Sequence, residues 1–281
     1  MSFRDEANKL IGRNAESLTR LIMVNVIVFI LANIFVHIPG LSQWVGYFTL
    51  PSSLSQLARQ PWSLFTYMFV HVDFMHILFN MLWLYWIGII FADFLGQRRL
   101  VYTYILGGLA GGIIYLLISN IFFPHQPFDL LGASAGVMAV IVAAAMLVPN
   151  YEIMLLLFGR VKLKYLAIAA FVLSTIIDFT SNTGGKAAHL GGALYGVLFL
   201  TQYKKGTDIS GRFGDFIEAI GRMLTFRRRK KSKSKTKGKV VHMYDKQKHI
   251  DEILDKISKS GYDSLTKEEK DFLFKSSKEN K

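Results

Sequence analysis

Five polar side chains stand in or beside long apolar runs of this sequence: Ser134, His189, His76, Asn80 and His71. Strongly polar groups at membrane depth are costly, so by default they suggest a function. A serine hydroxyl is a poor nucleophile until a base takes its proton, and a neutral histidine is the usual base. Attack on a peptide carbonyl creates an oxyanion that needs preorganised donors. The His76 imidazole, the Asn80 carboxamide and the Ser134 backbone N–H are donors of the right type. His76 and Asn80 are four residues apart and share one helix face. His71, five residues earlier in the same apolar stretch, is expected near its outer mouth. Ser134 is expected to open a helix, where free N–H groups and the dipole favour negative charge. Gly132 just before it permits a sharp turn.

Competing chemistries lack their parts. With no cysteine there is no thiolate nucleophile, zinc–thiolate site or disulfide. There is no H-E-x-x-H for a zinc protease and no Gly-x-Gly-Asp for an aspartyl one. No metal or cofactor is expected. The run Gly107-Gly108-Leu109-Ala110-Gly111-Gly112 reads as a small-residue packing seam, not a phosphate loop. A single membrane histidine or Gly-x-Ser is ordinary helix packing more often than catalysis, so the joint pattern carries the reading. His37, His125, His242 and His249 fall outside it.

The elements that must position these groups are membrane spans. The chain has 281 residues, is 52% hydrophobic and has a mean hydropathy of +0.32, concentrated in long blocks. Six candidates emerge, at Leu21–Ile38, Phe69–Leu95, Leu100–Phe122, Ser134–Val148, Tyr165–Phe179 and Ala187–Gln202. This predicts an all-α membrane protein. Basic residues precede the first span (Arg4, Lys9, Arg13, Arg20), follow the second (Arg98, Arg99) and the fourth (Arg160, Lys162, Lys164), and fill the tail. The positive-inside rule then puts both termini in the cytoplasm. No secretory signal is read at the start, and a bacterial inner membrane is the expected setting. From Ser134 to Pro149, and from His189 to Lys204, is about 15 residues, or roughly 22 Å of helix. Against a hydrocarbon core about 30 Å thick, both groups start below its outer edge. Irregular backbone there requires a protein-lined, wet cavity.

At these residues the chain resembles the rhomboid intramembrane serine proteases. The stretch from Pro61 to Met81 is similar to the family's first loop and second helix, with H-x4-H-x3-N on His71, His76 and Asn80. The nucleophile motif falls on Gly132-Ala133-Ser134-Ala135, and the final-helix motif on Ala188, His189, Gly192 and Gly196. The resemblance covers about residues 15–205. It implies a rhomboid-like bundle of six helices and a Ser134–His189 dyad with no carboxylate third member. His76, Asn80 and the Ser134 amide would form the oxyanion hole. Gly192 and Gly196 would bring the last helix close to the fourth. Single-pass membrane proteins would be the substrates, with the fifth helix and the following outer loop as lateral gate and cap. Three positions depart from the pattern: Ser63 for a loop arginine, Ala135 for a glycine, and Met138 for an aromatic packed on the histidine. None removes a reacting group.

The domain reading is an N-terminal segment 1–20, a membrane domain 21–203, a basic linker 204–245 and a small helical unit 246–281. The net charge of +13 lies mostly in the tail, with 22 Lys/Arg against 12 Asp/Glu from Lys204 onward. That location favours anionic lipid over nucleic acid as the tail's partner. In the tail, Ile250, Ile253, Leu254 and Ile257 follow helical spacing, Gly261 suits a C-cap, and Thr266 to Glu269 has the form of a capping box. The function expected is proteolysis. A catalytically silent relative that binds membrane clients is the alternative, and a proton-conducting transporter lacks the charged pairs or repeated halves it would need.

Overall fold

The computed structural model describes residues 16–124, 128–155, 159–176, 183–225, 252–253, 255–258 and 261–278. Arg4, Lys9, Arg13, His125, the expected cap at 177–182, the basic run Arg227–Lys239, Ile250 and Leu254 lie outside the described residues. The chain divides into two compact units, residues 1–224 and 225–281.

The first unit is mostly helical. Helix α1 (Glu16–His37) is apolar almost throughout, and Ile27, Ile30, Leu31 and Ile34 are about half exposed along it. A long connection follows, built from α2 (Gln43–Gly46), β1 (Leu50–Pro51), α3 (Leu54–Arg59), α4 (Ser63–Thr66) and a 3-10 turn at Tyr67–Phe69. Next come α5 (Phe74–Leu95) and α6 (Gln97–Phe122), then β2 (Asp129–Leu130) and α7 (Ser134–Leu147). Strand β2 pairs antiparallel with β1, Leu50 opposite Leu130, and ties the long connection to the segment entering α7. A hairpin of β3 (Glu152–Leu155) and β4 (Gly159–Lys162) leads to α8 (Leu163–Phe171), which passes into a π turn at Val172–Ile176. Helix α9 (Thr183–Lys204) and α10 (Ile209–Thr225) complete the unit.

Helix α7 is the centre of the bundle. Its 14 residues include an unbroken buried run from Ala135 to Ile141, so it is covered on every side. In lipid such packing rests on close contact of backbones rather than on the hydrophobic effect, and the glycines supply it. A Cβ at Gly192 of α9 would lie 2.1 Å from the Ala135 carbonyl oxygen of α7, and one at Gly196 would lie 2.7 Å from that of Ala139. On the other side, a Cβ at Gly107 of α6 would lie 2.3 Å from Ala139 Cβ. The glycine run in α6 is therefore a packing seam.

Three expectations meet the structure only in part. First, of the six expected spans, α1, α5 and α6 are, among the described residues, long and apolar enough to cross a membrane unaided; α7 and α8 with its π turn are shorter apolar helices. Second, α9 starts at Thr183, so His189 lies in its second turn instead of opening it. Gly184, Gly185 and Lys186 read as a loop, yet a Cβ on Gly184 would sit 2.9 Å from the Tyr115 ring, so glycine there serves helix packing. Third, α5 starts at Phe74, capped by Asp73, whose Oδ1 accepts the His76 N–H at 2.7 Å. His71 therefore precedes the helix. The stretch expected as linker also holds α10.

In the second unit, α11 (Lys267–Lys278) opens with reciprocal bonds: Thr266 N–H to Glu269 Oε2 at 2.7 Å and Glu269 N–H to Thr266 Oγ1 at 3.3 Å. That is a capping box. Gly261, at φ +77°, ends the preceding helical turn with its N–H on the Ile257 carbonyl at 2.8 Å. Ile253 and Leu265 are buried, and Lys256 Nζ bonds Glu269 at 2.9 Å.

Candidate active site

Ser134 is the first residue of α7, and His189 reaches it from α9: His189 Nε2 lies 2.7 Å from Ser134 Oγ. On the other side of the ring, Nδ1 lies 3.0 Å from the backbone carbonyl oxygen of Ser174 in the π turn. A carbonyl only accepts, so Nδ1 carries the hydrogen and Nε2 presents its lone pair to the serine hydroxyl. Both Ser134 and His189 are half-buried. The shared depth expected of these groups thus becomes direct contact, through the Gly192 and Gly196 packing that draws α9 onto α7.

The approach to Ser134 is fixed by the fully buried His71. Its Nδ1 faces the Phe69 carbonyl at 3.3 Å, while Nε2 accepts the Ala133 N–H at 3.1 Å. The Gly132 N–H bonds the Tyr67 carbonyl at 3.0 Å. Gly132 itself has φ +116°, and a Cβ there would lie 2.6 Å from His76 Cε1. The His76 ring therefore lies against the backbone two residues before Ser134. Only glycine accepts both that φ and that approach.

Asn80 is buried, and its Nδ2 donates to the His76 carbonyl at 3.0 Å and faces His71 Nε2 at 3.3 Å. His71, His76 and Asn80 are thus brought together beside Gly132, with the two rings edge to face at 5.1 Å between centroids. One Asn80 amide hydrogen is committed to the His76 carbonyl, and the other shares the His71 Nε2 lone pair with the Ala133 N–H. Tyr67 and Tyr104 brace the same turn from below: Tyr67 OH donates to the Gly108 carbonyl at 2.6 Å, and Tyr104 OH to the Met68 carbonyl at 2.9 Å.

The departure at Ser63 leaves a buried side chain whose Oγ has no partner. The long connection is held by other bonds, among them Trp62 Nε1 to the Tyr47 carbonyl at 2.8 Å and Thr66 Oγ1 to the Phe48 carbonyl at 3.0 Å. Sequence reasoning missed the Ser174 carbonyl, which no side chain advertises. It also missed Asp73, which an acidic residue just before an apolar run does signal.

The bundle and site define a polytopic membrane protein with a serine–histidine pair. A model of the Rhomboid domain matches residues 58–205, more than half of the chain. The chain belongs to the rhomboid family. A second family model, a family of unknown function (DUF6576), matches residues 242–279. Among relatives, the presenilin-associated rhomboid-like protein, mitochondrial, of Bos taurus is 27% identical over 214 residues, covering 71% of this chain and 52% of that protein. RHOMBOID-like protein 12, mitochondrial, of Arabidopsis thaliana is 30% identical over 160 residues, covering 51% of this chain and 47% of that protein. Rhomboid protease GlpG of Klebsiella pneumoniae is 29% identical over 103 residues, 37% of this chain and 36% of that protein. The chain spans about half the length of the first two and about a third of the last.

These matches correct the expected setting. A bacterial inner membrane with both termini cytoplasmic does not stand, because the cattle and Arabidopsis relatives are named mitochondrial. The charge asymmetry behind that expectation orients a chain across a membrane but names no organelle.

Proposed function

We propose that this chain is an intramembrane serine endopeptidase that cleaves single-pass membrane proteins in or next to their spans. The observation that carries the reading is the 2.7 Å contact of Ser134 Oγ with His189 Nε2, with Nδ1 held by a carbonyl. In the reaction, Ser134 Oγ attacks the scissile carbonyl carbon and its proton passes to His189 Nε2. The tetrahedral oxyanion meets the Ser134 N–H and His76, which packs on Gly132. Asn80 joins the oxyanion hole by releasing its bond to His71. As the C–N bond breaks, His189 gives its proton to the leaving amine. Water, deprotonated by the same nitrogen, then hydrolyses the acyl-enzyme. No cofactor enters.

In this reading α1, α5, α6, α7, α8 with its π turn, and α9 all cross the membrane, giving six spans within 21–203. The π turn joins the gate to the catalytic imidazole through Ser174. The basic tail lies against anionic lipid. A catalytically silent client-binding protein is the second reading, because names such as rhomboid-like specify no activity.

The test is labelling by a fluorophosphonate probe, together with cleavage of a single-pass test substrate in vesicles. Modification at Ser134 that disappears in His189→Ala, with cleavage lost in Ser134→Ala, is the expected result. Cleavage surviving in a folded Ser134→Ala overturns the dyad. An inserted, folded wild type that neither labels nor cleaves selects the silent reading.

A further inference from the structure

Helix α10 takes no part in the proposed chemistry, yet it is strongly two-sided. At 100° per residue, Ile209, Phe213, Phe216, Ile217 and Ile220 share one face, while Asp215 and Glu218 lie on the other. Phe216 is 60% exposed, Ile217 42% and Ile220 38%, so most of the apolar face is uncovered in the first unit.

The polar side is committed to the start of α6. Ser210 Oγ lies 3.0 Å from Thr103 Oγ1 and 3.1 Å from the Tyr195 hydroxyl. Asp208 pairs with Arg99 at 2.7 Å, and Arg98 bonds Asp215 at 2.8 Å and Glu218 at 3.2 Å. Phe213 meets the Tyr102 ring edge-on at 5.8 Å. All of these α6 partners fall within its first two turns, so α10 is held beside the N-terminal end of that apolar helix. Both acidic side chains of the helix, and Asp208 just before it, are thereby paired with an arginine. Lys205 and Arg212 are exposed, and in sequence residues 227–239 add nine Lys/Arg and no acid.

We infer that α10 lies in the plane of an anionic membrane surface, inserting Phe216, Ile217 and Ile220 among the acyl chains. A helix with one apolar face, a charged opposite face and a basic flank binds the headgroup boundary in this way, and a lysine- and arginine-rich continuation favours anionic lipid. A second copy of the chain fits less well, because it would bring its own net charge of +13 against this basic flank. The inference is independent of catalysis.

The chain has no cysteine, which makes site-directed spin labelling direct. Single variants Phe216→Cys, Ile217→Cys, Ile220→Cys, Asp215→Cys and Glu218→Cys are labelled and reconstituted into phosphatidylcholine vesicles with or without phosphatidylglycerol. The expected ratio of oxygen to aqueous nickel-chelate accessibility is several-fold higher at 216, 217 and 220 than at 215 and 218, and the difference grows with phosphatidylglycerol. Equal chelate access at all five positions overturns the inference. So does spin–spin broadening at 216 or 220 that dilution with unlabelled chain removes, which assigns the face to a second copy. A depth unchanged by phosphatidylglycerol overturns the anionic preference.

Discussion

His189 Nδ1 and the Ser174 carbonyl oxygen are 3.0 Å apart, and that contact sets the tautomer of the imidazole facing Ser134. A backbone acceptor thus stands where many serine hydrolases place a carboxylate. In the proposed reaction the serine is useful only with this base, so the two would act as a unit. Ser134→Ala and His189→Ala are each expected to reduce cleavage by about 10⁴-fold or more, and the double variant to be no worse than either. Initial rates on one substrate, with folding checked by thermal melting, test this. Additive losses would show that the two residues act separately.

His71 carries a different burden. It accepts the buried Ala133 N–H at 3.1 Å, immediately before Ser134. His71→Ala orphans that donor, and a buried unsatisfied group costs about 1–3 kcal/mol. The expected variant melts earlier and labels more slowly at Ser134. An unchanged melt with unchanged labelling would mean that the loop holds itself.

Gly192 is the closest point between α9 and α7, and an added Cβ would lie 2.1 Å from the Ala135 carbonyl oxygen. Backbone cannot yield there as a flexible side chain can. Gly192→Ala is therefore expected to cost about 1–3 kcal/mol or more through overpacking, and to separate Ser134 from His189. Gly46→Ala, where nothing lies within 4 Å, is the matched control and should leave activity unchanged. The comparison is read by melting temperature and by probe labelling.

Part of this arrangement is legible before any coordinates. Ser134, His189, His76 and Asn80 stand out because polar groups are rare in apolar runs, and α1, α5 and α6 because their length suffices alone. The contact between residues 134 and 189 is not legible, since it depends on which glycines face which carbonyls. The Ser174 and Ala133 partners are backbone groups and leave no trace in composition. The start of α9 was misread because Gly184 and Gly185 suggest a loop, while the fold uses Gly184 for contact with Tyr115. The apolar spacing of α10 is visible from Ile209 to Ile220.

Ser63 occupies the place of an expected arginine, is fully buried, and has an unpartnered Oγ. Removing a hydroxyl that makes no bond relieves its desolvation and leaves no orphan. Ser63→Ala is thus expected to be neutral or to stabilise by up to about 1 kcal/mol, with cleavage unchanged. A destabilisation above that size, measured by denaturant or thermal melts in the same detergent, would reveal a bond that Ser63 makes in the membrane.

In the second unit, the Glu269 carboxylate accepts the Thr266 N–H and pairs with Lys256, and these contacts hold its pKa below the usual glutamate value of 4.5. A carboxyl with a depressed folded-state pKa favours the folded form above its unfolded value. That contribution is lost as pH falls through the folded value. The start of α11 should therefore keep constant protection near neutrality and lose it only in acid, below the range where free glutamates titrate. Hydrogen exchange of peptides spanning 262–275 in the full chain, corrected for intrinsic rates, follows this directly. Glu269→Gln should flatten the acid-side loss while keeping a weaker cap, because its amide oxygen still accepts the Thr266 N–H without the charge. An identical acid profile in the variant would assign the transition to another group.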